Sequence, residues 1–262
     1  MLHSVLPGPM AFADHFSQQA NAYAAFRPSY PDALGAYLAS LTPTRGPSPT
    51  LVWDCATGSG QAATMLARHF DRVVATDASA AQISQAERCE RVEYKVAPAN
   101  ASGLPDSSCD LITVAQAAHW FDLPTFYAEA RRVLKPGGII AVWCYALLQT
   151  GRTDLDAALL HFQSERLGKY WPAGRELVED HYQSLPFPFP PIDAPSFEIM
   201  TRWSSADLFG FLDSWSAVAR CREFEKQDPL EPFASQLNRV WPDDEPAIEV
   251  RWPLYVRVGR RT

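Results

Sequence analysis

Two acidic residues stand at the ends of two short apolar segments, and a glycine-rich turn follows the first of them. Residues 51–60 read LVWDCATGSG, so Asp54 precedes a turn with Gly58 and Gly60, and the later segment VVATD ends at Asp77. Glycine tolerates positive φ and has no β-carbon, so this backbone can lie directly against a ligand. A carboxylate about twenty residues beyond such a turn can accept hydrogen bonds from a ribose diol. The two acids predict a cofactor that carries an amine and a ribose.

The turn alone fits two classes of cofactor. Residues 58–63, GSGQAA, also satisfy the Gly-x-Gly-x-x-Gly/Ala fingerprint of nicotinamide and flavin dinucleotide enzymes. A dinucleotide-binding strand normally stays apolar up to the turn, because it is buried on both faces. Asp54 breaks that pattern, and a buried carboxylate without a partner costs several kcal/mol, so its position favours a cationic ligand. The competing interpretation is that each acid only caps the helix that follows it.

Alternating strand and helix signals predict how these residues are positioned. Five apolar runs separated by helical segments between residues 51 and 146 indicate a parallel, doubly wound sheet. Near the end, residues 248–258 alternate apolar and polar side chains, which predicts a strand paired with 197–203 in a hairpin. The expected fold is α/β: a Rossmann-like, doubly wound, mostly parallel seven-stranded sheet with an antiparallel terminal hairpin, an N-terminal helical segment and an inserted lid.

This pattern divides the chain into four parts. Residues 1–50 are predicted to form an N-terminal helical cover segment, and residues 51–146 the cofactor-binding core. Residues 147–195 contain the run LPFPFPP and are interpreted as an inserted lid, because so many prolines exclude a regular strand–helix unit. The phenylalanines between the prolines favour packing against the parent domain over docking of an SH3-like partner. Residues 196–262 complete the sheet, with one helix expected between the strands of the hairpin.

Composition narrows the choice of partners. The 262-residue chain has a formal net charge of −7 and no run of Lys or Arg, which argues against a nucleic-acid partner, since phosphate binding needs a concentrated basic face. No stretch approaches the roughly eighteen apolar residues of a membrane span, and no signal peptide is recognised, so a cytoplasmic protein without a membrane partner is predicted. Five cysteines without a C-x-x-C pair suggest neither a disulfide framework nor a zinc site. A small molecule is the expected partner.

Several motifs beyond the turn carry a resemblance to a known family. Residues 97–105 read APANASGLP, residues 110–122 read DLITVAQAAHWFD, and residues 129–138 read EARRVLKPGG. In this order they resemble the small-molecule branch of the class I S-adenosylmethionine-dependent methyltransferases, the methyltransferase type 11 and trans-aconitate methyltransferase-like enzymes. The chain departs from that pattern at Ala56, where the acid-x-Gly-x-Gly-x-Gly loop has its first glycine, and at Pro98, where an acid is often found.

The resemblance implies a set of residues that bind S-adenosylmethionine at the ends of the first four strands. Asp54 would lie near the ammonium group, Asp77 would hold the ribose hydroxyls, and the turn would lie against the methionine moiety. Ala78 would flank the adenine, and the Ala99–Asn100 pair would meet its edge. Gln116 would pass under the methionine and the reactive methyl unless it is simply a solvated loop residue. The full set is Asp54, Ala56, Gly58, Gly60, Asp77, Ala78, Ala99, Asn100 and Gln116.

The acceptor side of the site depends on fewer residues. His119 and Trp120 follow a central strand, where an open α/β sheet places its ligand, so His119 is a candidate catalytic base and Trp120 a pocket wall. The alternative to a catalytic role is that His119 is a structural histidine held by hydrogen bonds. Tyr23, Arg27 and Trp171 are further acceptor-binding candidates, with Arg27 placed to pair with a carboxylate. The aromatic residues of the N-terminal segment and of the lid are expected to form a mobile cover that excludes water.

The predicted function is transfer of the methyl group of S-adenosylmethionine to a small molecule, such as a carboxylate, by in-line displacement. A sulfonium donor is already activated, so positioning and water exclusion could supply most of the acceleration without a base. Two alternatives stay open at this point. The turn also permits an NAD(P)-dependent oxidoreductase, and the departures at Ala56 and Pro98 permit a non-catalytic S-adenosylmethionine-binding protein.

Overall fold

The computed structural model describes residues 28–42, 49–242 and 244–262, and within these ranges it contains one eight-stranded sheet. Its strands are β1 (Leu51–Cys55), β2 (Arg72–Asp77), β3 (Val92–Val96), β4 (Cys109–Ala115), β5 (Leu134–Tyr145), β6 (Pro191–Ile192), β7 (Phe197–Trp203) and β8 (Ile248–Arg260). The first five are parallel and lie in the order β3-β2-β1-β4-β5. Because the order reverses next to β1, the ends of β1 and β4 open onto the crevice where such sheets bind ligands.

The antiparallel edge of the sheet is formed by the last three strands. Leu254 of β8 pairs with Tyr145 of β5 on one side and with Phe197 of β7 on the other. Gly259 of β8 pairs with Ile140 of β5 on one edge and with Pro191 of β6 on the other. Strand β6 therefore pairs with the same edge of β8 as β7 does. Strands β6 and β7 therefore share one edge position, and the sheet has the seven positions and the terminal hairpin that the sequence predicts.

Helices flank the sheet on both faces. They are α1 (Asp32–Leu41), α2 (Gln61–Leu66), α3 (Ala80–Ser84), α4 (Leu123–Val133), α5 (Thr153–His161), α6 (Arg175–Glu179), α7 (Ser205–Asp213), α8 (Ser216–Glu225) and α9 (Leu230–Val240). The prediction of one helix between β7 and β8 was incomplete, because α7, α8 and α9 all lie there. None of the helices in the described ranges is long and apolar enough to cross a membrane.

The sheet separates two apolar clusters, as expected for parallel strands that are buried on both faces. Neighbouring residues of β4 alternate between them, since Leu111 belongs to one cluster and Ile112 to the other. Helices α1, α2, α5 and α7–α9 contribute to the first cluster, and α4 and α6 contribute to the second. The five cysteines are free, and four of them are buried.

The proline-rich run packs against the second face of the sheet. Leu185 and Phe189 are buried, and the hydroxyl of Tyr127 on α4 donates a hydrogen bond of 2.7 Å to the carbonyl of Pro186. The guanidinium of Arg131, also on α4, lies 4.7 Å from the centre of the Phe189 ring. This end of the insertion is therefore anchored to the parent domain, as the interleaved phenylalanines indicate.

Candidate functional site

The turn after β1 keeps a left-handed backbone at three positions. Ala56 has φ 55°, Gly58 has φ 58°, and Gly60, the N-cap residue of α2, has φ 93°. An L-residue such as alanine is strained at positive φ, by about 1 kcal/mol. The turn is held by a 2.9 Å hydrogen bond from the amide of Thr57 to the carbonyl of Thr76 in β2. The departure at Ala56 thus changes the residue but retains the conformation that a glycine would adopt there.

Gly60 is also required by its neighbour. A β-carbon at this position would clash with the hydroxyl of Tyr94 on β3. That hydroxyl is buried and has no hydrogen-bond partner among the described residues, and the same holds for the hydroxyl of Ser59. Burial raises the pKa of Tyr94 to about 12, so its hydroxyl stays protonated. Two buried hydroxyls beside the turn are therefore able to hydrogen-bond a ligand, and the sequence reasoning missed Tyr94.

Asp77 joins the end of β2 to the turn. One carboxylate oxygen accepts a 2.9 Å hydrogen bond from the amide of Gly58, and the other accepts a 2.8 Å hydrogen bond from the amide of Ser79. Ser79, not Asp77, is the N-cap residue of α3. The capping interpretation is therefore wrong for Asp77. Each oxygen has a second lone pair, so this carboxylate, which is 8% exposed, can also accept from a ribose diol.

Asp54 lies in the sheet beneath the turn and is fully buried. Its two oxygens accept hydrogen bonds from the hydroxyls of Thr57, at 2.5 Å, and Thr113, at 2.6 Å. The sequence argument assumed a carboxylate without partners, whereas the structure gives Asp54 two hydrogen-bond partners. The hydroxyls do not neutralise its charge, however, and burial raises the pKa of Asp54 to about 6. A cation near the turn would stabilise the ionised form.

The three predicted adenine residues lie at the same edge of the sheet. Ala78 directly follows β2, and the Ala99–Asn100 pair follows β3. The amide of Ala97 donates a 3.0 Å hydrogen bond to the carbonyl of Asp77, which ties the chain after β3 to the end of β2. Ala78 and Ala99 are half-buried and Asn100 is exposed. Their contact with adenine stays a prediction.

Gln116 connects the ends of β4 and β5. Its side-chain amide accepts a 2.8 Å hydrogen bond from the amide of Tyr145 and donates a 3.0 Å hydrogen bond to the Tyr145 carbonyl. Its own backbone has φ 55° and donates to the carbonyl of Trp143 at 2.8 Å. Gln116 is therefore a structural clamp rather than a solvated loop residue, and it holds the two strand ends at the edge of a cavity.

This cavity brings together residues from both halves of the chain. It contains four of the predicted site residues, Gln116, His119, Trp120 and Trp171, whereas Tyr23 and Arg27 lie outside the described residues. The cavity residues that the sequence reasoning missed are Tyr145, Ala146, Leu147, Gln163, Pro172, Arg175, Phe211, Trp215 and Ser216. The only sequence signal for Arg175 is its position four residues after Trp171, which the sequence predicts as an acceptor-binding residue.

Arg175 is the only charged residue among the described residues that line the cavity. Its side chain is 19% exposed, and its Nε lies 3.5 Å from the exposed carboxylate of Glu179. The guanidinium lies 4.2 Å from the centre of the Trp171 ring. Gln163 also lines the cavity, and its Oε1 is buried without a hydrogen-bond partner in the described part of the chain. The described lining residues therefore include one charged side chain and one buried amide oxygen that lacks a hydrogen-bond donor.

His119 lies in a single 3-10 turn, Ala118–Trp120, that follows β4. Its Nδ1 is 2.8 Å from the hydroxyl of Tyr182, and its ring centre is 4.6 Å from that of Trp120. Burial, with a smaller contribution from Arg175, lowers the pKa of His119 to about 3. The imidazole is therefore neutral at physiological pH and a weak base. Its surroundings do not favour the predicted removal of a proton by His119.

Comparisons with known proteins agree with this geometry. A family model described as a methyltransferase domain matches residues 53–142. A Dictyostelium discoideum protein described as a methyltransferase is 34% identical over 272 residues, which cover 98% of this chain and 99% of the relative. A Saccharomyces cerevisiae protein, described as an S-adenosylmethionine-dependent methyltransferase, is 29% identical over 157 residues, or 55% of this chain and 52% of that protein.

A solved structure gives the same result. A protein from Anaeromyxobacter dehalogenans, described as a type II methyltransferase, is 43% identical to this chain and has a TM-score of 0.80, with 90% of this chain and 98% of that chain covered. These similarities favour one of the two cofactor classes that the glycine turn permits. The chain belongs to the class I S-adenosylmethionine-dependent methyltransferases and has their Rossmann-like fold.

Proposed function

We propose that this methyltransferase acts on a small carboxylate that binds in the cavity beside Gln116 and His119. The observation that carries the proposal is the charge of Arg175, which is the only charged side chain among the described residues that line the cavity. A guanidinium that is largely shielded from water and stacked on an aromatic ring is suited to binding a carboxylate. Arg175 would then have the role that the sequence reasoning gave to Arg27. The resemblance to trans-aconitate methyltransferase-like enzymes supports the same class of acceptor.

The residues around the turn fit S-adenosylmethionine. Asp77 would hold the ribose hydroxyls, Asp54 would stabilise the positive charge of the methionine moiety, and the hydroxyls of Ser59 and Tyr94 are unpaired in the described part of the chain. The residues after β2 and β3 would border the adenine. When bound, S-adenosylmethionine supplies a methyl group on a positively charged sulfur. The turn and the cavity lie at the same edge of the sheet, at the ends of β1 and β4.

The other cavity walls indicate what the rest of the acceptor is like. The rings of Trp171 and Trp215 are 5.3 Å apart and form an aromatic wall beside Arg175. Oε1 of Gln163, a residue that is 7% exposed, lacks a hydrogen-bond donor among the described residues. A carboxylate with an apolar body and one hydroxyl or amide donor would match the charge of Arg175, the aromatic wall and the amide oxygen of Gln163.

A carboxylate acceptor also agrees with the weak basicity of His119. An oxygen of the carboxylate forms the new bond to the methyl carbon. The bond from that carbon to sulfur breaks, and the electron pair of this bond stays on sulfur. A carboxylate has no proton to lose in this step, so a histidine with a pKa of about 3 is no obstacle. The protein's contribution is then to align the oxygen and to exclude water.

Water exclusion is assigned to the cover predicted from the sequence. In the insertion, residues 185–189 are anchored on α4, so closure would involve the part nearer the cavity, residues 162–180. Hydrogen exchange would test this proposal. Residues 162–180 should gain protection when S-adenosylhomocysteine and a carboxylate are both added, while the strands of the sheet hardly change. Equal, high protection of this segment in the free protein would show that it is rigid.

The proposed activity can be tested by release of S-adenosylhomocysteine from S-adenosylmethionine. We expect release with phenylacetate, mandelate or hexanoate and much less with the corresponding neutral amides. Arg175→Gln should raise the KM for the carboxylate by roughly tenfold to a hundredfold, because it removes a charged hydrogen-bonding partner. Arg88→Gln, which removes an exposed arginine, is the matched control.

Three outcomes would contradict the proposal. Equal turnover of amides and carboxylates would show that charge is not recognised, and an unchanged KM in Arg175→Gln would remove this residue from the acceptor site. Tight S-adenosylmethionine binding without release across broad acceptor panels would instead favour the non-catalytic alternative.

A further inference from the structure

We infer that His119 is a hydrogen-bond donor to the acceptor, and that Tyr182 is the positioning residue that fixes its tautomer. The tautomer follows from contacts within the protein alone. The assignment of the hydrogen-bonded group as an acceptor carboxylate rests on the proposed function.

The hydrogen bonds around Tyr182 determine where its proton lies. The side chain is fully buried, and burial raises the pKa of Tyr182 well above its usual range, so the phenol keeps its proton. Among the described residues, the phenol oxygen has one hydrogen-bond partner, Nδ1 of His119 at 2.8 Å. A buried phenol proton needs an acceptor, so Nδ1 accepts this proton and carries none of its own. A neutral imidazole that accepts at Nδ1 carries its own proton on Nε2.

Tyr182 is held in this position by a strained backbone. His181 and Tyr182 are consecutive non-glycine residues in the left-handed region, with φ 62° and 60°. Such residues cost of order 1–3 kcal/mol each and persist only where the surroundings enforce them. Here the amide of Tyr182 donates to the carbonyl of Leu177 at 2.7 Å, and the guanidinium of Arg257 donates to the Tyr182 carbonyl at 2.9 Å. Strain at this point is a sign that the position of the phenol matters.

The start of α6 places a second donor beside His119. Gly174, the N-cap residue of α6, lies so close that a β-carbon would be 2.5 Å from the carbonyl oxygen of His119. The next residue is Arg175, and both His119 and Arg175 line the cavity. Tyr182 does not line the cavity, so the side of the ring that faces Tyr182 is turned away from it. The Nε2–H group is therefore the polar group that His119 can offer to a ligand, next to the guanidinium.

This arrangement explains how His119 can serve the reaction without acting as a base. Its Nδ1 is engaged by the phenol and its Nε2 is already protonated, so neither nitrogen can take a proton from the acceptor. The two oxygens of a carboxylate can instead be shared between Arg175 and the Nε2–H group. One negative group bound by two adjacent donors has a fixed orientation, which is what in-line transfer requires.

The tautomer can be measured directly by NMR on the free protein labelled with ¹⁵N-histidine, with His119 assigned through the His119→Gln variant. We expect a neutral ring with the proton on Nε2 and no titration between about pH 5 and 8, since Tyr182 and Arg175, the titratable groups that face the ring, keep their charge states over that range. Tyr182→Phe should shift the signals toward a mixture of tautomers. A proton on Nδ1, or a positively charged ring at neutral pH, would overturn the inference whether or not an acceptor is found.

Kinetics with phenylacetate separate a donor from a base. His119→Gln retains an N–H group and should keep much of the activity, whereas His119→Ala should lose about tenfold to a hundredfold in kcat/KM through a higher KM for the carboxylate. The KM for S-adenosylmethionine should hardly change. Equal loss in both variants, carried by kcat, would identify His119 as a base and refute the donor role. If no carboxylate is turned over while the tautomer is as expected, the proposed acceptor class fails and the tautomer assignment stands.

Discussion

The substitution Asp54→Asn removes the charge of the buried carboxylate beneath the turn but keeps a side chain of nearly the same shape. The side chain is fully buried, and burial raises its pKa from 3.8 to about 6 despite the hydrogen bonds from Thr57 and Thr113. The gap between these two values corresponds to about 3 kcal/mol by which the ionised carboxylate destabilises the folded protein. A methyltransferase that keeps such a charge must gain from it elsewhere, and the predicted gain is affinity for a cationic cofactor.

The pH dependence of this penalty follows from proton binding. Below about pH 4 the carboxyl is protonated in both the folded and the unfolded chain, and the penalty is absent. Between about pH 4 and pH 6 the unfolded chain releases the proton while the folded protein retains it, so the free energy of unfolding falls as the pH rises. Above that range both states are ionised and the full penalty applies. Asparagine cannot ionise, so Asp54→Asn should gain up to about 3 kcal/mol on the parent protein between about pH 4 and pH 7.5.

Urea unfolding of the cofactor-free protein at about pH 4 and at pH 7.5 measures this change in stability. Any cost of rearranging the two threonine hydroxyls around the new amide is the same at both pH values, so it cancels in the comparison. Asp244→Asn, at an exposed position, is the control and should show no comparable change. Calorimetry should show that Asp54→Asn binds S-adenosylmethionine about 1.5–3 kcal/mol more weakly at pH 7.5, the usual size of a charge-assisted interaction. A stability difference that does not depend on pH, or unchanged affinity in the variant, would refute the reasoning.

Substitutions at Asp77, Ala56 and Gly60 test the turn and the end of β2. Asp77→Ala should weaken S-adenosylmethionine binding by about 1.5–3 kcal/mol in calorimetry, and unchanged affinity in a folded variant would remove Asp77 from the site. Ala56→Gly should raise the free energy of unfolding by up to about 1 kcal/mol and leave affinity intact or improved, because φ is 55° there; a loss of affinity would reveal a different turn conformation. Gly60→Ala should lower both stability and affinity, and adding Tyr94→Phe should recover part of the stability measured in urea, since it removes the clashing hydroxyl. No recovery would show that the backbone conformation of Gly60, with φ 93°, accounts for the whole loss.

The parts of the fold that could be predicted from the sequence are those in which short-range patterns decide the structure. Strand periodicity and helix–strand alternation depend on neighbouring residues, and both the bounds of β7 (Phe197–Trp203) and its pairing with β8 were predicted. Asp54 and Asp77 could be placed at strand ends for the same reason. Their hydrogen bonds could not be predicted, because Thr113 is 59 residues from Asp54 in the chain and reaches it only through the pairing of β1 with β4.

The sequence could not reveal the left-handed residues that shape the site. Ala56 and Gln116 both adopt φ 55°, although alanine and glutamine disfavour this conformation. The only hint in the sequence is that the family loop has a glycine at the position of Ala56. In each case a contact between elements enforces the geometry: the amide of Thr57 bonds to β2, and the side chain of Gln116 clamps the end of β5. Tertiary hydrogen bonds therefore override local preference at the ends of β1 and β4.

The cofactor side and the acceptor side of this enzyme were predictable to different degrees because they are built from different parts of the chain. Every residue assigned to S-adenosylmethionine lies between residues 54 and 116, in the part whose motifs follow the family pattern. Arg175 and Tyr182 lie in the insertion, and Trp215 lies in the helical segment before β8, where no periodic signal predicts which side chains enter the cavity. Under the proposed function, the core binds the cofactor and the insertion supplies the charge and the hydrogen-bonding groups that face the acceptor. The insertion would then select the substrate, and Tyr182, which is 63 residues from His119 in the chain and lies 2.8 Å from its Nδ1, would be part of that selection.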